Sequence, residues 1–447
     1  MSESSSRALP ADCALLPLFE GELLVSRRHA VFCRVPASDL PDLKNVLAGE
    51  ADVGSLPEAL QGDLEAHGFF GDPRAPEADP PSVQLQLTNA CNLSCTYCCT
   101  NSGTPRDDEL TLERCVEVVE QARETLGAGA RIAILGGEPF LVPWAMDLAE
   151  HTVGLDLDLT VFTNGIPLKD DDLARRVAAL TEAGAELRIS LAGATAETCD
   201  EISGAGRFLD AIEGMRKVAA HGGKLTVDLM LLPRNLDDVV ADFHALKRLL
   251  PEGTAIALGL AYLSGREEGE QIFASRAELE GALDRIAFEA GEVISAPRRA
   301  PLTHRREGCG CAMGNHLHLR SDGALFTCFK MEEKVGDLRG EASFADAVRT
   351  VRAEPHPTSA LPRCVDCHLA TLCGGGCRSE NLLYTGDPDE PLCDTWRVRV
   401  VSELLAEDRV TVVDWPIPHL HHEASLRGVE VPERPRPILR SRHLKDT

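Results

Sequence analysis

Cysteine is distributed along this chain in a way that limits how the chain can fold. The 447 residues include sixteen cysteines. Three of them lie within 91–98, with Cys99 beside them, and eight more lie between 309 and 393. Clustered cysteines in a chain that is not secreted favour bound metal or catalytic thiolates over disulfides. The fold must therefore gather thiols into two regions.

The N-terminal segment MSESSSRALPADCALL has neither a basic region nor a following apolar run. A secretory signal peptide needs both. No stretch of the sequence reaches the roughly 18 apolar residues that are needed to cross a bilayer. We therefore expect a cytoplasmic protein without a membrane partner, in a compartment that keeps thiols reduced.

The balance of charged side chains argues against one class of partner. The chain has 45 basic and 71 acidic residues, which gives a formal net charge of −26 at pH 7. Proteins that bind nucleic acid present basic surfaces to the phosphates. We therefore expect no nucleic-acid partner, although a local basic groove for an acidic electron donor is compatible with this charge.

Residues 14–75 form the first predicted domain. GELLVSRRHAVFCRV is typical of a strand pair, and DLPDLKNVLAG is typical of a short helix. A second helical pattern follows in SLPEALQGDLEAHGFF. The proline-rich segment 72–82 then indicates a linker. We therefore expect a small α+β domain at this end of the chain.

Strand and helix patterns alternate from 83 to about 292. Six strands are predicted, in VQLQLT, ARIAIL, LDLTVFT, ELRISLA, KLTVDLML and TAIALGL. Six βα units fit a parallel sheet curled into a partial (β/α)6 barrel of TIM type, which we assign to 82–300. An open doubly wound sheet is the alternative that the periodicity allows. A capping box from Ser275 to Glu278 predicts the start of a further helix.

Residues 301–405 are rich in cysteine and glycine and have weak periodicity. Bound metal is expected to replace a hydrophobic core in this region. Residues 410–447 are rich in proline, histidine and arginine, and predict a tail that is extended or packed on the surface. The HLHH segment at 419–422 is compatible with metal binding, but a solvated histidine run is the commoner meaning of such a segment.

The first cysteine group lies in TNACNLSCTYC, directly after a predicted strand. Its spacing is Cys91-x3-Cys95-x2-Cys98. Three thiolates can hold three irons of a cubane iron–sulfur cluster and leave the fourth iron open to a chelating ligand. A structural zinc site is the alternative, but it needs four ligands. Cys99 is a poor fourth ligand, because neighbouring side chains point apart in an extended chain.

These residues resemble the radical SAM (S-adenosylmethionine) family, whose motif is CxxxCxxC with an aromatic residue, here Tyr97, before the last cysteine. The resemblance implies a [4Fe–4S] cluster held by Cys91, Cys95 and Cys98, with SAM chelating the open iron and Tyr97 among the cofactor-binding residues. In this family one electron from the cluster cleaves SAM, and the resulting 5′-deoxyadenosyl radical abstracts a hydrogen atom from the substrate.

Three later segments strengthen the resemblance. ILGGEPF is similar to the family segment that hydrogen-bonds the amino group of SAM, which implies that Gly136, Gly137 and Glu138 belong to the cofactor site. FTNG and RISLAG end two further predicted strands, and Ser190 in the second is similar to a serine that contacts SAM. All of these lie at the carboxyl ends of strands, where the active sites of barrels gather.

One part of the family pattern is missing. Close relatives often carry Asp, His and Arg in the segment that starts here at Ser190, whereas this chain has Ala192, Cys199 and Ser203 at the approximate matches. The arginine that binds the carboxylate of SAM is therefore expected elsewhere, and Arg234 is a candidate.

The second cysteine group resembles the SPASM domain that follows the core of many radical SAM enzymes, although its CxxC pairs alone would suggest zinc. The resemblance implies two auxiliary [4Fe–4S] clusters. The first would use Cys309, Cys311, Cys328 and Cys377, and the second Cys364, Cys367, Cys373 and Cys393. Cys309 is the least regular of these, because its spacing to Cys311 is short. LRSDGALFTC predicts a hairpin with an Asp-Gly turn, and CGGGC gives backbone N–H groups access to a sulfur.

SPASM enzymes mostly modify peptides or proteins. The resemblance therefore implies an enzyme that crosslinks or oxidises a peptide side chain, as in the maturation of ribosomally made peptides. Sulfatase maturases carry Asp after the cysteine of G-x4-C, where this chain has Phe329, and this difference argues against that activity. The alternatives are a radical SAM dehydrogenase of a small molecule and a zinc-binding scaffold that is not an enzyme. The sequence identifies no catalytic residue.

The resemblance also bears on partners. The 14–75 domain resembles the small N-terminal region of peptide maturases, some of which hold a leader peptide on a winged-helix-like fold. It is therefore a candidate peptide-recognition module that works by strand addition, and a structural cap on the barrel is the alternative. Electrons are expected from a flavodoxin or ferredoxin-type donor.

Overall fold

The structure is a computed structural model. It describes residues 7–18, 21–73, 75, 81–204, 206–261, 265–266, 273, 278, 281–282, 285–286, 307–309, 313–340, 343–353 and 355–393. The predicted capping residue Ser275, the predicted ligand Cys311 and the predicted tail at 410–447 lie outside this part of the chain.

The chain divides into two compact units. The first unit contains Met1–Ala78, Arg299–Cys309 and His356–Ile438. The second contains Asp79–Arg298, Gly310–Pro355 and Leu439–Thr447. The cysteine-rich region predicted as one domain at 301–405 is therefore divided between the two units.

The N-terminal part of the first unit is an antiparallel sheet with two helices. Its strands are β1 (Cys13–Leu18), β2 (Gly21–Ser26) and β3 (Val31–Val35), in the order β1-β2-β3. Helices α1 (Leu40–Leu47) and α2 (Glu58–Ala66) follow. The predicted strand pair is β2–β3, and β1 adds a strand at the edge beside β2. Alternate residues of the sheet, including Leu24 and Val35, pack on Leu43, Leu60 and Leu64 of the helices.

The other face of this sheet is also covered. Leu23, Val25 and Phe32 pack with Leu369 and Leu372, which come from the cysteine-rich part of the same unit. That part forms two short helices, α10 (Ala370–Cys373) and α11 (Arg378–Thr385). The 14–75 region therefore shares a hydrophobic core with the second cysteine group, which the sequence does not indicate.

The second unit is built on nine strands in one sheet, in the order β12-β11-β10-β4-β5-β6-β7-β8-β9. The strands are β4 (Ser82–Gln86), β5 (Arg131–Leu135), β6 (Asp158–Thr163), β7 (Glu186–Leu191), β8 (Thr226–Leu231), β9 (Ala255–Leu260), β10 (His316–Leu319), β11 (Ala324–Phe326) and β12 (Lys334–Asp337). Strands β4 to β9 are parallel neighbours in chain order. The α/β class with a parallel sheet is thus confirmed.

Helices connect these strands. They are α3 (Leu112–Leu126), α4 (Ala145–Gly154), α5 (Asp171–Glu182), α6 (Ala196–Ser203), α7 (Arg207–Ala220) and α8 (Leu236–Leu249). They pack on one face of the sheet, where aliphatic residues of consecutive strands such as Val83, Ile132, Leu159 and Val227 form a single core with them. A doubly wound sheet would have helices on both faces.

The opposite face of the sheet carries polar side chains that are nevertheless buried. Gln86 is 4% exposed, Asp228 is 6% exposed and His318 is 2% exposed. Since the core helices cover the other face, these side chains are buried because the sheet curls around them. Strands β4 to β9 pair in the order in which they occur in the chain, and the interior face of the sheet is buried. Both features favour the partial barrel over the doubly wound alternative.

Strands β10 to β12 extend the barrel sheet on the side of β4. β10 pairs with β4 in parallel and with β11 in antiparallel. The predicted Asp322-Gly323 turn joins β10 to β11, and Gly323 has a φ of +81°, a left-handed conformation that suits glycine. Helix α9 (Phe344–Ala353) then packs against α3. Part of the region assigned by resemblance to an auxiliary domain is thus continuous with the barrel core.

Among the described helices, none has the length and apolar character needed to cross a membrane.

Candidate active site

Strand β4 leads directly into the loop that carries the first three cysteines, here called the cysteine loop (residues 91–102). Ala90 and Gly103 pair as a bridge at its base. The N–H of Cys91 donates to the carbonyl of Gly103 at 2.9 Å, and the N–H of Gly103 donates to Asn89 at 2.8 Å. The loop therefore leaves the carboxyl end of β4 and returns to it at the same place, and it carries four thiols, those of Cys91, Cys95, Cys98 and Cys99.

The three thiols are partly buried and lie close enough to influence one another. Burial raises the pKa of Cys95 to about 12, and negative charge on Cys98 and Cys91 acts in the same direction. Burial also raises the pKa of Cys91. The thiols of Cys91 and Cys95 are therefore neutral unless a bound cation removes their protons, as metal ions do with coordinating thiols.

Backbone donors already point at two of these sulfurs. The N–H of Leu93 donates to the sulfur of Cys91 at 3.4 Å, and the N–H of Ser102 donates to the sulfur of Cys98 at 3.3 Å. Such N–H···S bonds stabilise thiolate ligands and tune the potential of iron–sulfur clusters. Three mutually interacting thiols with N–H donors fit the donor set of a cluster with one open iron.

Tyr97, which the resemblance assigns to the cofactor, contacts a cysteine. Its ring packs on the core of the second unit, and its hydroxyl is hydrogen-bonded to the sulfur of Cys95. Burial raises the pKa of the phenol well above its ordinary value, so the hydroxyl stays protonated and can donate to a thiolate. The structure therefore gives Tyr97 the role of orienting a cysteine.

The GGE segment after β5 packs directly on the start of the cysteine loop. The N–H of Gly137 donates to Thr88 and the N–H of Glu138 to Ala90, both at 2.8 Å. A Cβ atom on Gly137 would lie 2.2 Å from the carbonyl oxygen of Ala90, and one on Gly136 would lie 3.0 Å from that of Thr88. Both glycines are thus needed so that the end of β5 can approach the backbone of residues 88–90.

Glu138 joins the ends of two strands through its buried side chain. One carboxylate oxygen accepts from the hydroxyl of Thr163 at 2.7 Å and from the N–H of Phe140 at 3.2 Å. The other accepts from the N–H of Asn164 at 2.7 Å. Burial nevertheless raises the pKa of Glu138 to about 7. This side chain therefore connects GGE to the FTNG segment at the end of β6.

The FTNG segment is in turn joined to the cysteine loop. The amide of Asn164 donates to the side-chain oxygen of Asn92 at 2.7 Å, and Asn92 lies between Cys91 and Cys95. GGE, FTNG and the loop are therefore linked by side-chain and backbone hydrogen bonds.

Ser190 lies on the interior face of β7, next to a charged pair. It faces Asp228 on β8 in the strand register. The guanidinium of Arg188 donates to Asp228 through Nε at 2.9 Å and through a second, shorter bond from Nη2. Its Cζ atom also lies 5.4 Å from the ring centre of Phe162. The ion pair of Arg188 with Asp228 holds a charged patch next to Ser190. The sequence does not reveal this patch, because the two charged residues are far apart in the chain.

His318 is a second interior residue that the sequence does not single out. Its Nδ1 has no hydrogen-bond partner among the described residues. Burial lowers the pKa of His318 to about 3, which leaves the imidazole neutral at physiological pH. Its ring centre lies 6.0 Å from that of Phe329, at the position where sulfatase maturases carry Asp.

Arg234 and Cys199 both have partners of their own in the structure. Arg234, the candidate for the carboxylate of SAM, forms an ion pair with Glu201 at 2.9 Å. Cys199 is buried in α6, and its sulfur lies 3.6 Å from the hydroxyl of Ser203. Its packing in the core matches the ordinary structural role of an isolated cysteine.

Arg266, after β9, contacts the cysteine loop although no motif draws attention to it. Its Nη1 donates to the carbonyl of Cys95 at 2.7 Å, and its Nη2 donates to the carbonyl of Ser102. Its backbone N–H donates to the carbonyl of Cys98 at 2.9 Å. Sequence reasoning missed this residue, because one arginine in an irregular segment carries no periodic or spacing signal.

In the second cysteine group, four thiols lie near one another within the first unit. Burial raises the pKa of Cys364 to about 12, and charge on Cys373, Cys393 and Cys367 would raise it further. Burial likewise raises the pKa of Cys373 to about 11. These four residues are the set that the SPASM resemblance assigns to one cluster.

The CGGGC segment shapes the backbone around Cys373. Gly374, Gly375 and Gly376 all have φ values between +71° and +78°, where side chains other than glycine are strained. This conformation directs the N–H groups of Gly375 and Gly376 to the sulfur of Cys373. The second group therefore also combines clustered thiols with N–H···S donors.

The remaining predicted ligands are divided between the units. Cys309 and Cys377 belong to the first unit, and Cys328 belongs to the second. Among the described residues, no three His, Cys, Asp or Glu side chains are arranged to hold a metal ion.

A protein-family model matches the part of the chain that carries this site. Residues 85–246 match the model of the Radical SAM superfamily. The chain contains a radical SAM domain. The match begins within β4 and ends within α8, so it includes the cysteine loop, GGE, FTNG and Ser190. The cofactors of this domain are a [4Fe–4S] cluster and SAM, as the family resemblance implies.

The curated relatives include peptide maturases. The mycofactocin maturase MftC of Mycobacterium ulcerans is 26% identical over 335 residues, which is 70% of this chain and 88% of the relative. The sporulation killing factor maturation protein SkfB of Bacillus subtilis is 31% identical over 162 residues, which is 36% of this chain and 38% of SkfB. The radical SAM domain with these relatives establishes that the chain is an enzyme.

A solved structure shares the fold beyond the matched domain. SuiB of Streptococcus suis, in complex with S-adenosylmethionine, superposes with a TM-score of 0.52 and 14% identity. The comparison covers 86% of this chain and 98% of SuiB. SuiB bound to its precursor peptide SuiA gives a TM-score of 0.50. At this identity the likeness shows the fold alone.

Proposed function

We propose that this chain is a radical SAM/SPASM enzyme that crosslinks or oxidises a side chain of a peptide, as in the maturation of ribosomally made peptides. The observation that carries the proposal is the assembly of three thiols, GGE and FTNG at the carboxyl ends of barrel strands. The relatives MftC and SkfB, both maturation proteins by name, support a peptide as the substrate.

The residues of the cysteine loop have distinct proposed roles. Cys91, Cys95 and Cys98 hold the SAM-binding cluster, with the N–H groups of Leu93 and Ser102 and the hydroxyl of Tyr97 stabilising the thiolates. When bound, the cluster and SAM supply the 5′-deoxyadenosyl radical, and auxiliary clusters supply electron acceptors.

Proposed contacts with SAM lie around this loop. The GGE segment presents backbone groups of Gly136, Gly137 and Glu138 to the amino end of SAM. The carboxylate of Glu138 holds this segment in place through its hydrogen bonds to residues 140, 163 and 164. Ser190 faces the interior of the barrel and contacts SAM from β7. The ion pair of Arg188 with Asp228 gives the adjoining interior a fixed polar surface.

Two auxiliary [4Fe–4S] clusters complete the proposed cofactors. The better supported one is held by Cys364, Cys367, Cys373 and Cys393, because these thiols interact within one unit. The other is held by Cys309, Cys311, Cys328 and Cys377.

The proposed partners are the peptide and an electron donor. β1 is an edge strand of the N-terminal sheet, so an extended leader peptide can add to it through backbone hydrogen bonds. A flavodoxin or ferredoxin-type protein supplies the electrons.

The proposal is tested with reduced protein, SAM and the short peptides encoded beside the gene, followed by mass spectrometry of peptide and nucleoside. We expect 5′-deoxyadenosine together with a peptide that has lost two hydrogen atoms. Deoxyadenosine without any change in the candidate peptides would instead favour a small-molecule substrate. Zinc in place of iron in anaerobically purified protein would overturn the enzymatic proposal.

A further inference from the structure

We propose that Arg266 is a positioning residue of the SAM-binding cluster, which closes the cysteine loop from β9 and supplies a fixed positive charge beside it. This inference rests on the proposed cluster at Cys91, Cys95 and Cys98. It goes beyond that proposal because Arg266 lies outside the residues 85–246 that match the family model.

The side chain of Arg266 joins distant points of the loop. Nη1 donates to the carbonyl of Cys95 at 2.7 Å, Nη2 donates to the carbonyl of Ser102, and Nε donates to the side-chain oxygen of Asn101 at 3.2 Å. The acceptors thus lie on both sides of Cys98. A planar guanidinium with several donors in fixed directions can hold three acceptors at once, which a lysine ammonium does less well.

The backbone next to this side chain is docked on the same loop. The N–H of Arg266 donates to the carbonyl of Cys98 at 2.9 Å. A Cβ atom on Gly265 would lie 2.3 Å from the carbonyl oxygen of Cys98 and 2.4 Å from that of Cys99. Gly265 also has a φ of +70°. Only glycine allows so close an approach, so Gly265 and Arg266 form one docking element.

The stretch of loop that Arg266 holds also positions a ligand sulfur. The N–H of Ser102 donates to the sulfur of Cys98 at 3.3 Å, and the hydroxyl of Thr100 lies 3.5 Å from the same sulfur. Asn101, between them, has a φ of +49°, which is uncommon for a residue other than glycine. By binding Asn101 and Ser102, Arg266 stabilises the strained turn that directs these donors to Cys98.

Arg266 also places a positive charge beside the three thiols, because its guanidinium donates to the carbonyls of Cys95 and Ser102. Within the described part of the chain, Arg266 forms no ion pair with a carboxylate, whereas Arg188 and Arg234 are paired with Asp228 and Glu201. A positive charge at this place stabilises the negative charge that reduction adds to a cluster, which raises the reduction potential.

Two substitutions in the full-length, anaerobically reconstituted enzyme distinguish the effect of the hydrogen-bond geometry of Arg266 from the effect of its charge. Arg266→Lys keeps the charge but loses the planar set of donors, and Arg266→Gln loses both. Arg175→Gln is the matched control, because Arg175 is exposed on α5 and Asp172 is its only ion-pair partner among the described residues. The first readout is the rate at which a chelator removes iron from the cluster whose electron paramagnetic resonance signal responds to SAM. The second is the midpoint potential of that signal.

We expect iron release to be about fivefold faster or more in both Arg266 variants, the factor that corresponds to losing roughly one net hydrogen bond. The midpoint potential should fall in Arg266→Gln and stay near that of the parent in Arg266→Lys. Arg175→Gln should match the parent in both measurements.

Parent-like iron release and potential in both Arg266 variants would overturn the inference while leaving the proposed function intact. Equal midpoint potentials of the SAM-responsive cluster in Arg266→Gln and the parent would contradict only the electrostatic part of the inference. A parent enzyme without any SAM-responsive cluster would instead overturn the proposed function itself. If Arg266→Gln does not fold, Arg266→Lys still decides whether the planar donors hold the loop.

Discussion

At the scale of one residue, two opposing effects set the pKa of Glu138. Three donors to its carboxylate favour the ionised form, yet burial prevails and raises its pKa from 4.5 to about 7. The folded chain then binds more protons at this site than the unfolded chain between these values. Its contribution to stability therefore falls as pH rises from about 4.5 to about 7. Infrared difference spectra should show its protonated carboxyl band disappearing near pH 7.

Replacing Glu138 by Gln tests both influences. The new side-chain NH₂ group must face one of the N–H or O–H donors that the carboxylate oxygens accept from. That donor then has no acceptor, which should cost about 1–3 kcal/mol of stability at low pH. As pH rises to 7 the variant should recover relative to the parent, because the parent then pays to ionise a buried carboxyl. Denaturation curves at several pH values measure this difference, with the exposed Glu252→Gln as control. A difference that does not change with pH would contradict the raised pKa.

Site residues that belong to a motif of characteristic spacing could be predicted from the sequence, and site residues outside such motifs could not. Cys91, Cys95 and Cys98 are candidate metal ligands because of their spacing, and their assignment to a SAM-binding cluster comes from the family resemblance. The motif places Gly137 in the cofactor site but does not predict its neighbour in the structure, where a Cβ atom on Gly137 would meet the backbone of Ala90. Arg266 could not be predicted, because its partners are carbonyl groups of a loop far away in the sequence.

The alternation of strand and helix was enough to predict the six central elements of the barrel. Aliphatic residues at every second position of each strand mark the face that packs on the helices. The extra strands β10 to β12 were not assigned to this sheet, because a four-residue strand such as HLHL has no pattern that specifies its neighbour. Only the register with β4 reveals that the barrel sheet continues into the cysteine-rich region.

At the scale of elements, the N-terminal sheet and the second cysteine group depend on each other. Arg27, in the β2–β3 turn, donates to the carbonyl of Val365, and the hydroxyl of Thr371 donates to the carbonyl of Arg27 at 2.7 Å. Leu372 in α10 is fully buried against this sheet. The sheet is thus part of the wall of the proposed auxiliary site, between Cys364 and Cys373.

We therefore expect Leu372→Ala to cost about 2–5 kcal/mol of stability, as other large-to-small core changes do. The cavity should loosen the segment around Cys373, so iron of the auxiliary clusters should be released faster. The SAM-responsive signal should remain. Leu382→Ala is the control, because Leu382 is 37% exposed. Equal iron release from both variants would show that the sheet does not support this site.

At the scale of the whole molecule, the cysteine loop lies in one compact unit, and the four thiols of Cys364, Cys367, Cys373 and Cys393 lie in the other. Each group has its own N–H···S donors, so each proposed cluster should assemble without the other. We therefore expect separate consequences when either group is removed. One variant replaces Cys91, Cys95 and Cys98 by Ala, and the other replaces Cys364 and Cys367 by Ala.

The triple variant should lose about a third of the bound iron and all 5′-deoxyadenosine formation, because only the first site leaves an iron open to SAM. The double variant should lose a similar share of iron but still form deoxyadenosine, without converting the peptide. Iron analysis and product mass spectrometry on the same preparations measure both. Deoxyadenosine from the triple variant would disprove the assignment of the cysteine loop, and peptide conversion by the double variant would show that the auxiliary site is not needed for the reaction.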